Sequence, residues 1–301
     1  MPSASVSPTP LFPIEDGPWR MAMALRPLNP AEWILPDGLL EAQLAEKERL
    51  IAGRREEVTA ELPGSEAGQA ELLARLVEYL PERYPDLYRR DGEAMRVCGV
   101  RPVTLGGPCA IETAGRLTQE DFCLLQSPGD GEPYRLTAAS LCFPTRWRLA
   151  DKIGKPMQAI HGPVPLYAEK MGRQVDRFFQ HLKPEKPVWR INWSLIDDPA
   201  LFQPTGHGLT EEDPRFQPET IGQNVWFRSE RQTLVRLPET GAIVFGIRIY
   251  QTTLGEVVSD PVRAGRLLEA IKTMAPEMYA YKSFAVFRRP LESYLKQQIA
   301  A

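Results

Sequence analysis

An α+β fold is what this 301-residue chain predicts, and three observations carry the prediction. Apolar residues recur at helical spacing in some stretches and alternate in others. The stretches run helices, two strands, helices, three strands, helices. A doubly wound sheet needs strand and helix to alternate throughout, so this order points instead to a five-stranded, mainly antiparallel sheet. Helices are expected between its second and third strands and at both ends of the chain. With 43% apolar and 25% charged residues, the chain can bury a substantial core.

Residues 1–38 contain eight prolines and end in LPDG. That composition predicts an extended arm laid over the surface of a single domain at 39–301, with Leu11, Phe12, Trp19 and Trp33 as its apolar anchors. A helix follows over 39–61, with Leu40, Leu44, Lys47, Ile51 and Arg55 at helical spacing, and a second over 66–80, ended by Pro81. The charges of EKER and GRREE suit a solvated helix face. RPVTLGGPC reads as a connector, after which DFCLLQS and PYRLTAASLCF flank the turn PGDGE, a hairpin at 121–127 and 133–142. A short helix at 148–153 and a longer one at 165–182 are separated by QAIHGPVP. VWRINWSLI then alternates as a strand with one buried face. Strands at 224–237 and 242–251 are joined by the tight turn PETG. Asp260 caps a helix that has Pro261 at its first position, and Pro276 and Pro290 delimit two more short helices. A helical segment laid across such a sheet leaves a slot suited to a flat apolar ligand.

The net charge of -3 argues against a general nucleic-acid or anionic-membrane binder. No stretch approaches the length of a membrane span, and the N-terminus lacks the basic and apolar regions of a secretory signal, so a cytoplasmic location is expected. Cys98, Cys109, Cys123 and Cys142 are too widely spaced for a zinc or iron–sulfur cage and are expected reduced and mostly buried. Phosphate-loop, dinucleotide, nucleophile-elbow and HExxH motifs are absent.

There are only three histidines. His161 lies in IHGPVP, where Gly162, Pro163 and Pro165 restrain the backbone, as a metal ligand requires. A hydrogen-bonded structural role is the alternative. His181 is expected to cap a helix end, and His207 to lie in a flexible polar loop. In WFRSERQTLVRLP, alternation places Arg228, Glu230 and Gln232 on one face and Arg231 on the other. These charges read either as a polar pocket wall or as an exposed salt-bridged ladder with Arg190 and Arg248 on neighbouring strands.

Long collinear stretches, among them LTAASLCFPTRW, KIGKPMQAIHGPVPLY, VDRFFQHLKPEKPVWRINWSLIDDP and VWFRSERQTLVRLPETGAIVFGIRIY, resemble the haem-dependent oxidative N-demethylase alpha-subunit family over about residues 25 to 298. The resemblance implies a haem-binding PAS-like five-stranded antiparallel sheet with helices between strands two and three and extra helices at the ends. It implies a monooxygenase-type oxidation of a methylated secondary amine, such as dimethylamine, by O₂ to the primary amine and formaldehyde. Electrons would come from NADPH through a reductase subunit carrying FMN and a 2Fe–2S cluster, with tetrahydrofolate-binding subunits as further partners. On this chain it implies haem b with His161 as axial ligand, and Arg228, Glu230 and Arg231 as distal groups that bind the amine and polarise dioxygen. Arg190, Asn192 and Arg248 are weaker candidates for contact with the haem propionates. A haem-binding PAS-type gas or redox sensor, or a binding module without turnover, is the alternative, since one architecture hosts both.

Overall fold

All five strands expected from the sequence form, and they lie side by side. The computed structural model describes residues 11–99, 101–129 and 131–300; the first ten residues of the proline-rich arm and Asp130 of the PGDGE turn lie outside them. In chain order the strands are β1 (Arg26–Pro27), β2 (Thr59–Glu61), β3 (Tyr88–Asp91), β4 (Ala94–Val97), β5 (Arg101–Thr104), β6 (Asp121–Gln126), β7 (Arg135–Ser140), β8 (Val188–Ile196), β9 (Trp226–Arg236) and β10 (Ile243–Thr253). The helices are α1 (Leu40–Val58), α2 (Glu66–Arg83), α3 (Ala110–Leu117), α4 (Met157–Ile160), α5 (Arg173–His181), α6 (Ile221–Asn224), α7 (Leu254–Val257), α8 (Pro261–Thr273), α9 (Pro276–Tyr281) and α10 (Arg288–Ala300).

The expected strands are β6 to β10, and they occupy the contiguous block β8-β9-β10-β6-β7 of an antiparallel sheet. That sheet has seven strands rather than five, because β1 adds to the edge at β8 and β2 to the edge at β7. At two and three residues these edge strands are too short to display an alternation. A second sheet, β3-β4-β5, includes part of RPVTLGGPC, so that segment is not a plain connector. Pro102 is tolerated there because β5 is an edge strand.

The helices depart from expectation where the backbone is constrained. The helix expected at 148–153 is a single 3₁₀ turn, Leu149–Asp151. The one expected over 165–182 starts later, as a π-helical turn at Ala168–Gly172 that runs into α5, because Leu166 takes a left-handed conformation at φ 64°. Helix α2 continues past Pro81 to Arg83, ending less than one turn beyond the missing N–H.

One face of the large sheet, carrying Phe122, Leu124 and Val244, packs on Leu44 of α1, Leu72 and Leu76 of α2 and Ile111 of α3. The other face, with Cys123, Leu125, Leu136, Leu234 and Ile247, lies beneath Met157, Tyr167, Met171, Val175 and Phe179. A third cluster joins Trp193, Leu195 and Phe227 to Leu267, Phe284 and Leu291 of the C-terminal segment. Arg49–Glu46 and Arg54–Glu57 form the expected solvated pairs on α1. Lys47 on the same helix is fully buried in an ion pair of 3.1 Å with Asp121. All four cysteines are free, and Cys98 alone is not fully buried.

Candidate functional site

Between the second face of the sheet and the α4–α5 segment lies a cavity of about 710 Å³, within the range of small-ligand and cofactor sites. The floor is set by strand register. Leu234, Gln232 and Glu230 line it at two-residue spacing along β9. Over about 13 Å the floor therefore passes from an apolar side chain to a carboxylate. Phe245 lies beside Leu234, with Cys123 beyond it, whereas Arg190 lies beside Gln232 and Asn192 beside Glu230. The cavity thus has an apolar half under α4 and α5 and a polar half toward the C-terminal helices. Residues 13–26 of the arm form a further wall, so the arm is part of the site and not only a surface strap.

His161 lines the apolar half as the residue that ends α4. Its Nδ1–H donates to the Met157 carbonyl at 3.0 Å, and the ring stacks on Tyr167 at 4.3 Å. A carbonyl only accepts, so the proton sits on Nδ1 and Nε2 keeps its lone pair, the tautomer a metal requires. Burial holds the imidazole down to about 4, hence neutral at physiological pH. Two further polar atoms on the cavity wall, Tyr167 Oη and Arg190 Nε, are buried without a hydrogen-bond partner. Among the described residues no three ligating side chains converge on a metal site. A bare ion therefore has no ready cage, whereas a macrocycle that brings its own equatorial donors needs only an axial one. The apolar half, the free Nε2 and the orphaned Arg190 and Tyr167 groups fit a haem with anionic side groups.

Glu230 is nearly buried, and its carboxylate is built into the floor. It accepts from the Thr145 hydroxyl, from Asn192 Nδ2 at 3.2 Å and from Gln232 Nε2 at 2.7 Å. Arg228 shares its face but is not among the residues lining the cavity. Its guanidinium donates to the carbonyls of Phe143, Ala200 and Leu201, to Gln251 and, through Nε, to Thr145 Oγ1 at 3.0 Å. Arg228 thereby fixes Thr145, which in turn hydrogen-bonds Glu230; it is a positioning residue. Burial lowers it to about 10, still cationic at neutral pH.

Arg231 and Arg248 point from the opposite face and do not line the cavity. Arg231 donates to the carbonyls of Glu32 and Trp33, and Arg248 pairs with Asp37 at 2.7 Å and Gln43 at 2.8 Å. The reason is the period of two: a one-residue step along a strand reverses the face. An exposed ladder is equally ruled out, since Arg228, Glu230, Arg231 and Arg248 are all buried. Main-chain carbonyls, not rows of carboxylates, hold Arg228 and Arg231.

His207 belongs to the cavity, and its loop is not a loose one. Arg146 Nη1 and Ser283 Oγ donate to the Gly206 carbonyl, and Leu209 N donates back to Ser283 Oγ. Gly206 and Gly208, at φ 114° and 76°, turn the chain on either side of the histidine. His207 Nδ1–H donates to the Tyr281 carbonyl at 3.0 Å and the ring stacks on Tyr281 at 4.3 Å, the arrangement of His161 over again. Lys282 also lines the polar half; its ammonium donates to the Trp193 carbonyl at 2.7 Å, and burial pulls it down to about 8. The signal that identifies His207 in sequence is its pair of flanking glycines; Lys282 has none. His181 is exposed and bonds its own helix through the Arg177 carbonyl, as expected of an end-capping residue.

Both cavity histidines are held at about 4, against 6.5 for an ordinary imidazole. Between those values the unfolded chain binds more protons than the folded one, so stability falls as the pH drops through that window. Urea unfolding of the cofactor-free protein is expected to show a loss of about 1–2 kcal/mol per histidine from pH 7 to pH 5. The double variant His161→Gln, His207→Gln should show a shallower fall; an equal fall in both proteins would refute the assignment.

Among the described residues no helix is long and apolar enough to cross a membrane. The model of a family described as haem-dependent oxidative N-demethylase, alpha subunit-like, matches residues 24–292.

Proposed function

We propose, on the premise that the chain belongs to the haem-dependent oxidative N-demethylase alpha subunit-like family, that its cavity binds haem b and a methylated secondary amine side by side and oxidises the amine. The observation that carries this reading is one cavity holding both a neutral histidine with a free Nε2 and a carboxylate kept in place by three donors. Haem, when bound, supplies dioxygen binding and one-electron chemistry. His161 would be its axial ligand. Arg190 and Asn192, with Lys282, would face its propionates; neither Arg190 nor Lys282 is in an ion pair among the described residues. Offsetting these cations with propionate charge leaves Glu230 free to hold an ammonium group. The arm wall, including Met21, Met23 and Trp19, would exclude water from the reacting methyl group.

In the proposed reaction dimethylamine, dioxygen, a pair of electrons and a pair of protons give methylamine, formaldehyde and water. An alpha subunit implies other subunits, and the electrons are assigned to a cytoplasmic partner that takes them from NADPH through FMN and a 2Fe–2S cluster. Tetrahydrofolate-binding subunits would accept the formaldehyde carbon. A PAS-like reading of the domain at 39–301 is supported by the five long strands in the order third, fourth, fifth, first, second, with the helical segment between the second and third laid over the cavity. Arg231 and Arg248, on the other face, are assigned to anchoring the arm and α1. The carboxylate in the polar half favours turnover over gas sensing, because a sensor has no use for an ammonium site.

Titration of the haem-loaded protein with dimethylamine should give a saturable change in the absorption spectrum. Glu230→Gln should weaken the response by about 10- to 100-fold with haem still bound, since a charged hydrogen bond is lost. A haem-loaded protein indifferent to every methylated amine would exclude the proposal.

A further inference from the structure

Resting on the reading of the polar half as an amine site, we propose that His207 is the residue that selects secondary amines, its Nε2 and one lone pair of the Glu230 carboxylate accepting the two N–H bonds of a dialkylammonium. The tautomer follows from geometry: with Nδ1–H given to the Tyr281 carbonyl, His207 Nε2 is an acceptor and cannot donate. A carboxylate offers about four lone-pair positions. Thr145, Asn192 and Gln232 occupy three of them on Glu230, which leaves one. The two acceptors line one cavity and are tied together through adjacent residues: Thr145 donates to Glu230, and Arg146, the next residue, donates to the carbonyl of Gly206, the residue before His207. Lys282, whose ammonium is committed to the Trp193 carbonyl, has donors only and cannot take an N–H.

Donor and acceptor counts then discriminate between amines. A dialkylammonium satisfies both acceptors. A trialkylammonium has a single N–H and leaves one acceptor unpaired in a buried site. A primary ammonium has one N–H too many for this pair, so the product is held less well than the substrate. His207 is therefore a specificity-determining residue that touches the substrate, distinct from His161, the proposed iron ligand.

The test is calorimetric binding of dimethylamine and trimethylamine to the ferric haem-loaded protein, in wild type, His207→Phe and His207→Gln. His207→Phe keeps a ring to stack on Tyr281 and removes the acceptor. It should weaken dimethylamine by about 10- to 100-fold, leave trimethylamine nearly unchanged and erase the preference between them. His207→Gln, which retains a carbonyl acceptor, should recover part of the preference. An unaltered Soret band in both variants shows that fold and haem are kept; if His207→Phe loses haem, His207→Leu, which likewise has no acceptor, is compared with wild type and His207→Gln and decides in the same way. Equal weakening of both amines, or an unchanged preference, overturns the role of His207 while leaving the amine site standing. Failure of wild type to bind any methylated amine overturns the amine site and this inference with it.

Discussion

His161→Ala protein, reconstituted and passed through a desalting column, is expected to lose the haem that the wild type retains, with retention weaker by on the order of 100-fold or more. The size of the effect follows from how completely the site depends on one side chain. Among the described residues no three potential ligands cluster, and the nearest thiol on the wall, Cys123, is held above the ordinary thiol range by burial, so a thiolate is disfavoured. His161 also has the setting that the proposed role requires. The Met157 carbonyl fixes its tautomer, Tyr167 fixes its ring plane, and the left-handed turn at Leu166 carries the chain from the histidine loop into the π-helical turn. His161→Gly should regain a wild-type-like Soret band when free imidazole is added, because the slot beside Tyr167 survives. Full haem retention by His161→Ala, with an unshifted band, would move the ligand elsewhere.

Arg228→Ala is expected to be the most damaging substitution for folding, at about 3–5 kcal/mol. Against a typical total of roughly 5–15 kcal/mol, that lowers the melting temperature by about 6–20 °C. Arg228 is 1% exposed and serves four main-chain carbonyls from two separate segments, Phe143 and Pro144 after β7 and Ala200 and Leu201 after β8. Removing the fork leaves those buried acceptors without donors. Arg228→Lys recovers little, since one ammonium cannot span the same geometry. Glu230→Gln is the contrasting case: it keeps the shape and one acceptor oxygen of the carboxylate, so it should melt well above Arg228→Ala, yet lose the amine response. Differential scanning calorimetry with amine titration separates the two roles. Wild-type stability of Arg228→Ala combined with loss of amine binding would return Arg228 to direct contact with substrate.

The contrast between these residues shows how far a linear pattern reaches. Strand identity was legible because β8, β9 and β10 are long enough to alternate visibly, and the alternation also told that Arg228 and Glu230 oppose Arg231. Which face meets the cavity was not legible, because both faces of β9 carry arginine and both are buried. The family resemblance pointed to His161, and its rigid Gly- and Pro-flanked loop agreed. His207 was passed over because a polar, glycine-flanked loop looks mobile until Arg146 and Ser283 are seen to tie it down from distant points in the chain.

From the sequence alone come the α+β class, the five principal strands, the separation of charge on β9 and the family to which the chain belongs. Local spacing and collinear motifs encode these, so no long-range contact is needed to read them. Tertiary structure alone decided that the arm walls the cavity, that Arg228 hydrogen-bonds Thr145, that Arg231 and Arg248 face away, and that two histidines 46 positions apart line one cavity with the same hydrogen bond and ring stacking. Each of these depends on which segments meet in space, and hydrogen bonds from buried side chains to remote carbonyls leave no periodic trace in the chain that makes them.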